Sequence, residues 1–209
     1  MDGCRQLGIH LTSDQAVLFL TYLELLQRWG RKLNLTAIRG EHEMIRRHFL
    51  DALTAFQVIE FRSGQRVMDI GSGAGIPGIP IRLIQPAVEL TLVEPSQKKA
   101  AFLRTVCGKL KLEGVTVLTD TVEKLAEEVR QQGVYDHLLV RALAPTPRRL
   151  RAFAGLMKPG GDLLLFQGPK PVDLGDLPPG LKPQRTVRLT LPGGPDQRRL
   201  VVLERLARG

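Results

Sequence analysis

The sequence predicts an α/β fold: a doubly wound, mostly parallel sheet that ends in an antiparallel C-terminal strand and is preceded by a helical extension. Three observations predict it. Between residues 66 and 166, short apolar runs alternate with segments of helical periodicity, the pattern of a parallel sheet with helices on both faces. The first of these runs, Val67-Met68-Asp69-Ile70, passes straight into Gly71-Ser72-Gly73-Ala74-Gly75-Ile76-Pro77-Gly78. That is the order of a strand, a tight loop and a helix start built around a nucleotide-like ligand. Residues 1–62 carry helical periodicity and no strand pattern, so they read as an N-terminal helical extension of a core at 63–209.

The extension comes first. Thr12 or Ser13 can cap a helix from Asp14 to Trp29, with Leu18, Tyr22, Leu25, Leu26 and Trp29 inward. A loop at 31–38 follows, then a second helix from Glu41 to Val58 with Ile45, Phe49, Ala52, Leu53 and Phe56 inward. In the core, strands are expected at 66–70, 90–93, 115–118, 135–140 and 162–166. Helices are expected at 76–84, at 96–110 with Ser96 as its cap, at 122–131, and from Pro147 to Gly155. Pro77 and Pro80 fall early enough in their helix to be tolerated. The Pro- and Gly-rich stretch 168–183 reads as a loop. Two last strands, 186–191 and 199–206, are joined through Pro192-Gly193-Gly194-Pro195 as a hairpin that closes the sheet.

Composition narrows the partners. The chain has 209 residues, 43% of them hydrophobic, and a formal net charge of +9. That is enough for one well-filled core, and the charge favours an acidic partner such as nucleic acid. From Arg28 to His48 there are six Lys or Arg and only two acids. From Arg141 to Lys158 there are five basic residues and no acid, so the two segments together form a candidate RNA track. Cys4 and Cys107 lack metal-ligand spacing, so no metal is expected. With no leader-like apolar run and no span long enough for a bilayer, the expectation is a cytoplasmic protein without a membrane partner.

The chemistry-bearing residues converge at one end of the sheet. In a doubly wound sheet the C-terminal ends of neighbouring strands line one crevice, so Asp69, Gly71, Gly73 and Glu94 are expected to meet one ligand. The glycines let it approach the main chain closely, and the helix start offers free N–H groups. Glu94 can accept from a ribose diol. A dinucleotide and a sulfonium methyl donor both match this pattern. A pyrophosphate beside Asp69 would be repelled, whereas a ligand carrying positive charge would be attracted, so Asp69 favours the methyl donor. Val122 and Glu123, after the third strand, lie where an adenine would be read.

The stretch from Asp69 to Pro80, Asp-Ile-Gly-Ser-Gly-Ala-Gly-Ile-Pro-Gly-Ile-Pro, resembles the loop of the bacterial GidB (RsmG) family. So do Asn34-Leu35-Thr36-Ala37-Ile38, Arg47-His48-Phe49-Leu50-Asp51 and Val140-Arg141-Ala142-Leu143-Ala144-Pro145. The resemblance covers most of the chain. It implies a class I, Rossmann-like fold that uses S-adenosyl-L-methionine, leaves S-adenosyl-L-homocysteine, and methylates N7 of a guanine in 16S rRNA. Carried over residue by residue, it puts Gly71 and Ile76 against the donor. Glu94, Pro95 and Ser96 would border its ribose, Val122 and Glu123 its adenine, and Arg141 the mouth of its site. Asn34, Arg46, Arg47, Arg148 and Arg149 are the expected RNA contacts, with 16S rRNA or the small ribosomal subunit as partner and a monomer as the working form. The chain departs from the family in one place, where Gln167 stands in a position that often holds lysine.

The residues agree with that chemistry. After the fourth strand the chain has Arg141-Ala142-Leu143-Ala144-Pro145 and not the Asn/Asp-Pro-Pro-aromatic motif of amine methylases. Neither cysteine fits carbon-5 pyrimidine chemistry. Guanine N7 presents a lone pair and no proton, so no general base is expected. Arg141 would then orient the guanine through its O6 edge or hold a phosphate.

Overall fold

A computed structural model of the chain describes residues 2–30 and 32–207. Helix α1 (Asp2–Gln6) leads into α2 (Ser13–Gly30). A reciprocal capping box starts α2: Thr12 Oγ1 accepts from Gln15 N and Gln15 Oε1 accepts from Thr12 N. Thr12 is therefore the cap. The buried stripe of α2 is Phe19, Tyr22, Leu23, Leu26 and Gly30. Leu18, Leu25 and Trp29 flank it half-buried. The stripe is turned from the expected one because α2 packs on two sides, against α5 and α6 and against Phe49, whose ring lies 5.2 Å from that of Phe19.

The second helical run is composite. It passes from α3 (Glu41–Met44) through a π turn (Ile45–Leu50) to α4 (Asp51–Leu53) and a 3-10 turn (Thr54–Gln57). The π turn buries Arg46, His48, Phe49 and Leu50 together. Wide turns of this kind are frequent at functional sites.

The core is a seven-stranded sheet in the order β3-β2-β1-β4-β5-β7-β6. Its strands are β1 (Arg66–Ile70), β2 (Glu89–Val93), β3 (Val115–Leu118), β4 (Tyr135–Arg141), β5 (Met157–Gln167), β6 (Leu181–Thr190) and β7 (Gln197–Arg205). The first five pair in parallel, and β7 runs antiparallel to both β5 and β6. The helices between them are α5 (Gly78–Ile84), α6 (Gln97–Lys109), α7 (Val122–Glu127) and α8 (Pro147–Leu156). Ser96 caps α6 by accepting from Lys99 N. Alternation along the strands feeds two cores. Val67, Leu139 and Leu164 face the N-terminal helices, α5 and α6, while Met68, Leu138 and Leu163 face Leu150, Phe153 and Leu156 of α8. The N-terminal helices thus share one continuous core with a face of the sheet.

The largest differences from the sequence expectations fall at three boundaries. β5 begins at Met157 and not at 162, because Tyr135 pairs with Met157 before the register slips and His137 meets Asp162, so residues 158–161 bulge within the strand. β6 begins at Leu181, since backbone pairing with β7 recruits residues whose composition reads as loop. The helix expected over 122–131 ends at Glu127 and resumes as a 3-10 turn, Val129–Gln131. Strand order reverses between β1 and β4, and the crevice at their C-terminal ends is the place such folds use for ligands.

Candidate active site

The glycine loop is held from below by Asp69. Its Oδ2 accepts from Gly78 N at 2.9 Å, and an added Cβ at Gly78 would lie 2.8 Å from that same oxygen. Only glycine lets the start of α5 sit this close. From the other side, the fully buried Tyr22 donates its hydroxyl hydrogen to Ala74 O. Gly73 adopts φ 57°, which turns its N–H onto Glu94 Oε2 at 2.9 Å.

This arrangement corrects two expectations. The loop does not present a row of free N–H groups. Gly71 N and Ser72 N donate to Val93 O, Gly75 N and Ile76 N to Ser72 O, Gly73 N to Glu94 and Gly78 N to Asp69. A pyrophosphate would find these donors already engaged. Nor does Asp69 face the cleft. It is 1% exposed, lies under the loop, and does not line the cleft above it. Burial pushes its carboxyl up to about 7, against the opposing pull of the Gly78 N–H and of Arg141, and its Oδ1 is buried without a partner. The physical reason is the strand's alternation: Asp69 points to the same face as Val67, toward α5.

The cleft over the loop is lined by Leu35, His48, Gly71, Gly73, Ile76 and Arg141, with Ser72, Ala74 and Ala142. Expected residues Gly71, Gly73, Ile76 and Arg141 therefore meet there. Glu94, buried, accepts from both Gly73 N and Ser96 N, one on each oxygen, and so joins the loop to the end of β2. Pro95, Ser96, Val122 and Glu123 lie farther along the same edge, after β2 and β3, outside the wall of this cleft.

Arg141 closes β4 at the rim. Its Nη2 donates to Arg47 O at 2.8 Å and pairs with Asp51 Oδ2 at 3.1 Å. No other partner of its guanidinium is recorded among the described residues. Asp51, 2% exposed, also holds Arg198 of β7 at 2.9 Å through Oδ1. Burial raises its carboxyl, and the two arginines counter that rise. Ala142 follows at φ 58°, a strained conformation for a residue with a Cβ. It lines both the loop cleft and a second cleft formed by Val140, Leu143, Pro145, Leu165, Phe166 and Gln167. Gln167 is 7% exposed and accepts from Val172 N.

Sequence alone gives His48 no catalytic or binding role, yet it lines the loop cleft. The π turn aims it there, and its Nε2 lies 2.8 Å from Thr36 Oγ1. Burial and the nearby Arg141 lower its pKa to about 4, so the imidazole is neutral at pH 7. No sequence signal marks this, because Ile45–Leu50 carries ordinary helical periodicity.

The expected RNA contacts divide. Arg46 is corrected. Its side chain is 6% exposed and pairs with Glu43 and Asp196, where it clamps the β6–β7 loop to the helical run. Arg149 is tied to Glu123 at 3.2 Å and to Ala144 O, so two residues assigned to different ligands hold each other. Arg47 pairs with Glu43 and Asp196 but stays 41% exposed. Asn34, at φ 49°, and Arg148 are exposed. Lys158 leaves the basic track, because it pairs with Asp136 at the opposite end of the sheet. A separate apolar cavity, walled by Cys4, Leu11, Phe19, Leu23 and Phe49, shares no wall residue with the site. Among the described residues no group of three or more His, Cys, Asp or Glu could hold a metal ion, and no helix is long and apolar enough to cross a membrane.

The sequence model of a family described as rRNA small subunit methyltransferase G matches residues 15–174. The chain belongs to that family. It is 36% identical over 202 residues to "Ribosomal RNA small subunit methyltransferase G" of Burkholderia ambifaria (strain MC40-6), covering 96% of this chain and 89% of that one. To the protein of the same name from Alkaliphilus metalliredigens (strain QYMF) it is 35% identical, over 81% of this chain and 71% of the relative. Among solved structures, MtNAS in complex with MTA and tNA superposes with a TM-score of 0.60 at 20% identity, over 92% of this chain and 76% of that one. That likeness concerns the fold alone. As a member of the family, the chain is an S-adenosylmethionine-dependent rRNA methyltransferase with a class I fold.

Proposed function

We infer that the chain transfers the methyl group of S-adenosylmethionine to N7 of a guanine in 16S rRNA, in the cytoplasm, acting as a monomer. The observation that carries this reading is the junction of two clefts at Arg141 and Ala142: one over the glycine loop, the other between the ends of β4 and β5. A donor in the first and a base in the second would meet at that rim.

The residues present fit the donor. The loop amides are engaged, which disfavours a phosphate but leaves close approach to the main chain at Gly71 and Gly73. Each Glu94 oxygen holds one backbone N–H and keeps a lone pair for a ribose hydroxyl. Ile76 would cover the apolar side. Pro95, Ser96, Val122 and Glu123 continue the edge on which a ribose and adenine would extend. S-adenosylmethionine, when bound, supplies an electrophilic methyl on a positively charged sulfur.

The chain then has to place the nucleophile. Guanine N7 carries a lone pair and no proton, so transfer needs alignment and no base, and alignment alone is worth up to about 7–11 kcal/mol. His48, neutral and bonded to Thr36, is a fixed dipole in the wall and adds no charge near the sulfonium. Arg141 has one edge clamped by Asp51 and the Arg47 carbonyl, which leaves its remaining N–H groups to orient guanine through O6.

Incubation with labelled donor and unmodified small subunits or naked 16S rRNA, followed by mapping of 7-methylguanosine, tests the reading. One methylated guanine is expected. Donor binding with no incorporation into either substrate would refute it. Arg141→Ala should lower turnover at least a hundredfold while donor binding persists.

A further inference from the structure

The end of β5 lies in a row of polar side chains that the reaction above does not use. Gln167 pairs with Arg199 of β7, and Arg199 pairs with Arg188 of β6. Residues directly opposite in a ladder point to the same face. Gln167, Arg199 and Arg188 therefore stand side by side across three strands spaced about 4.8 Å apart. Their face is the one that Leu165 and Val201 share with α8, opposite to Arg198 and its partner Asp51. The row begins at the wall of the β4–β5 cleft, which Gln167 lines, and runs to the outer edge of the sheet.

Two features of the row call for a ligand. Arg199 and Arg188 are like charges in direct opposition, an arrangement that destabilises a sheet, and no hydrogen bond or ion pair of either is recorded among the described residues. Arg199 Nε is in addition buried without a hydrogen-bond partner, an unfavourable state for a polar group and more so for a charged one. Protection of an edge strand explains a charge on β6, where Thr186, Arg188 and Thr190 are all exposed. It does not explain a second arginine on β7, an interior strand.

We propose that Arg188 and Arg199 form a phosphate subsite for the substrate RNA strand, beside the cleft that takes the target base. The inference rests on the rRNA reading above. A phosphate seated between the two guanidinium groups relieves their repulsion and gives the buried Nε an acceptor. It also sets the direction of the strand, which leaves the β4–β5 cleft past Gln167 toward the edge of β6.

The test is rRNA binding by the full-length protein as a function of salt, with Arg188→Gln, Arg199→Gln and Arg199→Lys, and Lys109→Gln as a charge-matched control. Lys109 closes α6, which leads back to the start of β3, so it lies at the opposite end of the sheet. Loss of one phosphate contact should reduce the slope of log affinity against log salt by about 1, with donor affinity unchanged. Lys109→Gln should keep the full slope, and Arg199→Lys should recover most of it. Arg188→Gln lies on an exposed edge, so the test survives even if the β7 variant folds poorly. Wild-type slope in Arg188→Gln would overturn the subsite, as would an equal fall in Lys109→Gln. Wild-type protein that fails to bind rRNA at all would overturn the rRNA reading as well.

Discussion

Replacing Asp69 with asparagine should remove a large pH dependence from the stability of this protein. Asp69 is 1% exposed, and burial holds its carboxyl at about 7, compared with an ordinary 3.8. The direction follows from linkage: between those two values the unfolded chain has lost the proton and the folded chain keeps it, so stability falls as pH rises. The contribution is fully present below pH 3.8 and is lost as pH passes through about 7. At about 1.4 kcal/mol per pH unit, a span of about three units amounts to about 4 kcal/mol. Asparagine keeps the acceptor for Gly78 N and never ionises. Urea unfolding without donor, at pH 5 and pH 7, should therefore show the variant gaining about 2 kcal/mol relative to wild type across that interval, since the folded carboxyl is half ionised at its upper end. Comparing the two proteins at each pH is essential, because His48 works in the opposite sense. Its pKa is lowered to about 4, so its share of stability is present above its unfolded value of 6.5 and is lost as pH falls toward 4. Parallel profiles for wild type and Asp69→Asn would refute the buried, protonated carboxyl.

Other outcomes follow from the same contacts. Gly78→Ala puts a Cβ 2.9 Å from Leu92 Cδ2 as well as against Asp69, so thermal unfolding should show a loss of about 1–3 kcal/mol. Tyr22→Phe strands the buried Ala74 carbonyl. A cost of about 1–3 kcal/mol is expected, along with weaker donor binding by calorimetry and little change in kcat. Asp51→Asn leaves Arg141 and Arg198 without their shared carboxylate. Chemical denaturation should report a loss of about 1–3 kcal/mol, because both arginines keep access to water, and turnover should fall while donor affinity holds.

Arg46 and Arg149 show where reading the chain alone goes wrong. A run of basic residues looks like a nucleic-acid surface because sequence carries charge but not partners. Glu43 is close enough in sequence to suggest a pair for Arg46, but Asp196, the acid that buries it, lies far along the chain on the β6–β7 hairpin. Arg149 and Glu123 meet only because α7 and α8 pack on the same face of the sheet. The π turn was equally invisible: Ile45–Leu50 has ordinary helical periodicity, and packing decides that His48 faces the cleft.

Local pattern determined the alternation of strands and helices, the glycine loop after β1, the acid after β2 and the arginine after β4, because each is a matter of period, turn chemistry and spacing along the chain. With the resemblance these carry, the sequence sufficed to place the chain in its family. Tertiary structure decided what those groups do with their hydrogen bonds. It turned Asp69 under the loop instead of toward the cleft, engaged the loop amides with Val93, Ser72 and Glu94, and clamped Arg141 between Asp51 and Arg47. It also set Arg199 opposite Arg188. Those outcomes depend on which distant side chains are brought within hydrogen-bonding reach of each other, and that is settled only when the sheet and its helices close.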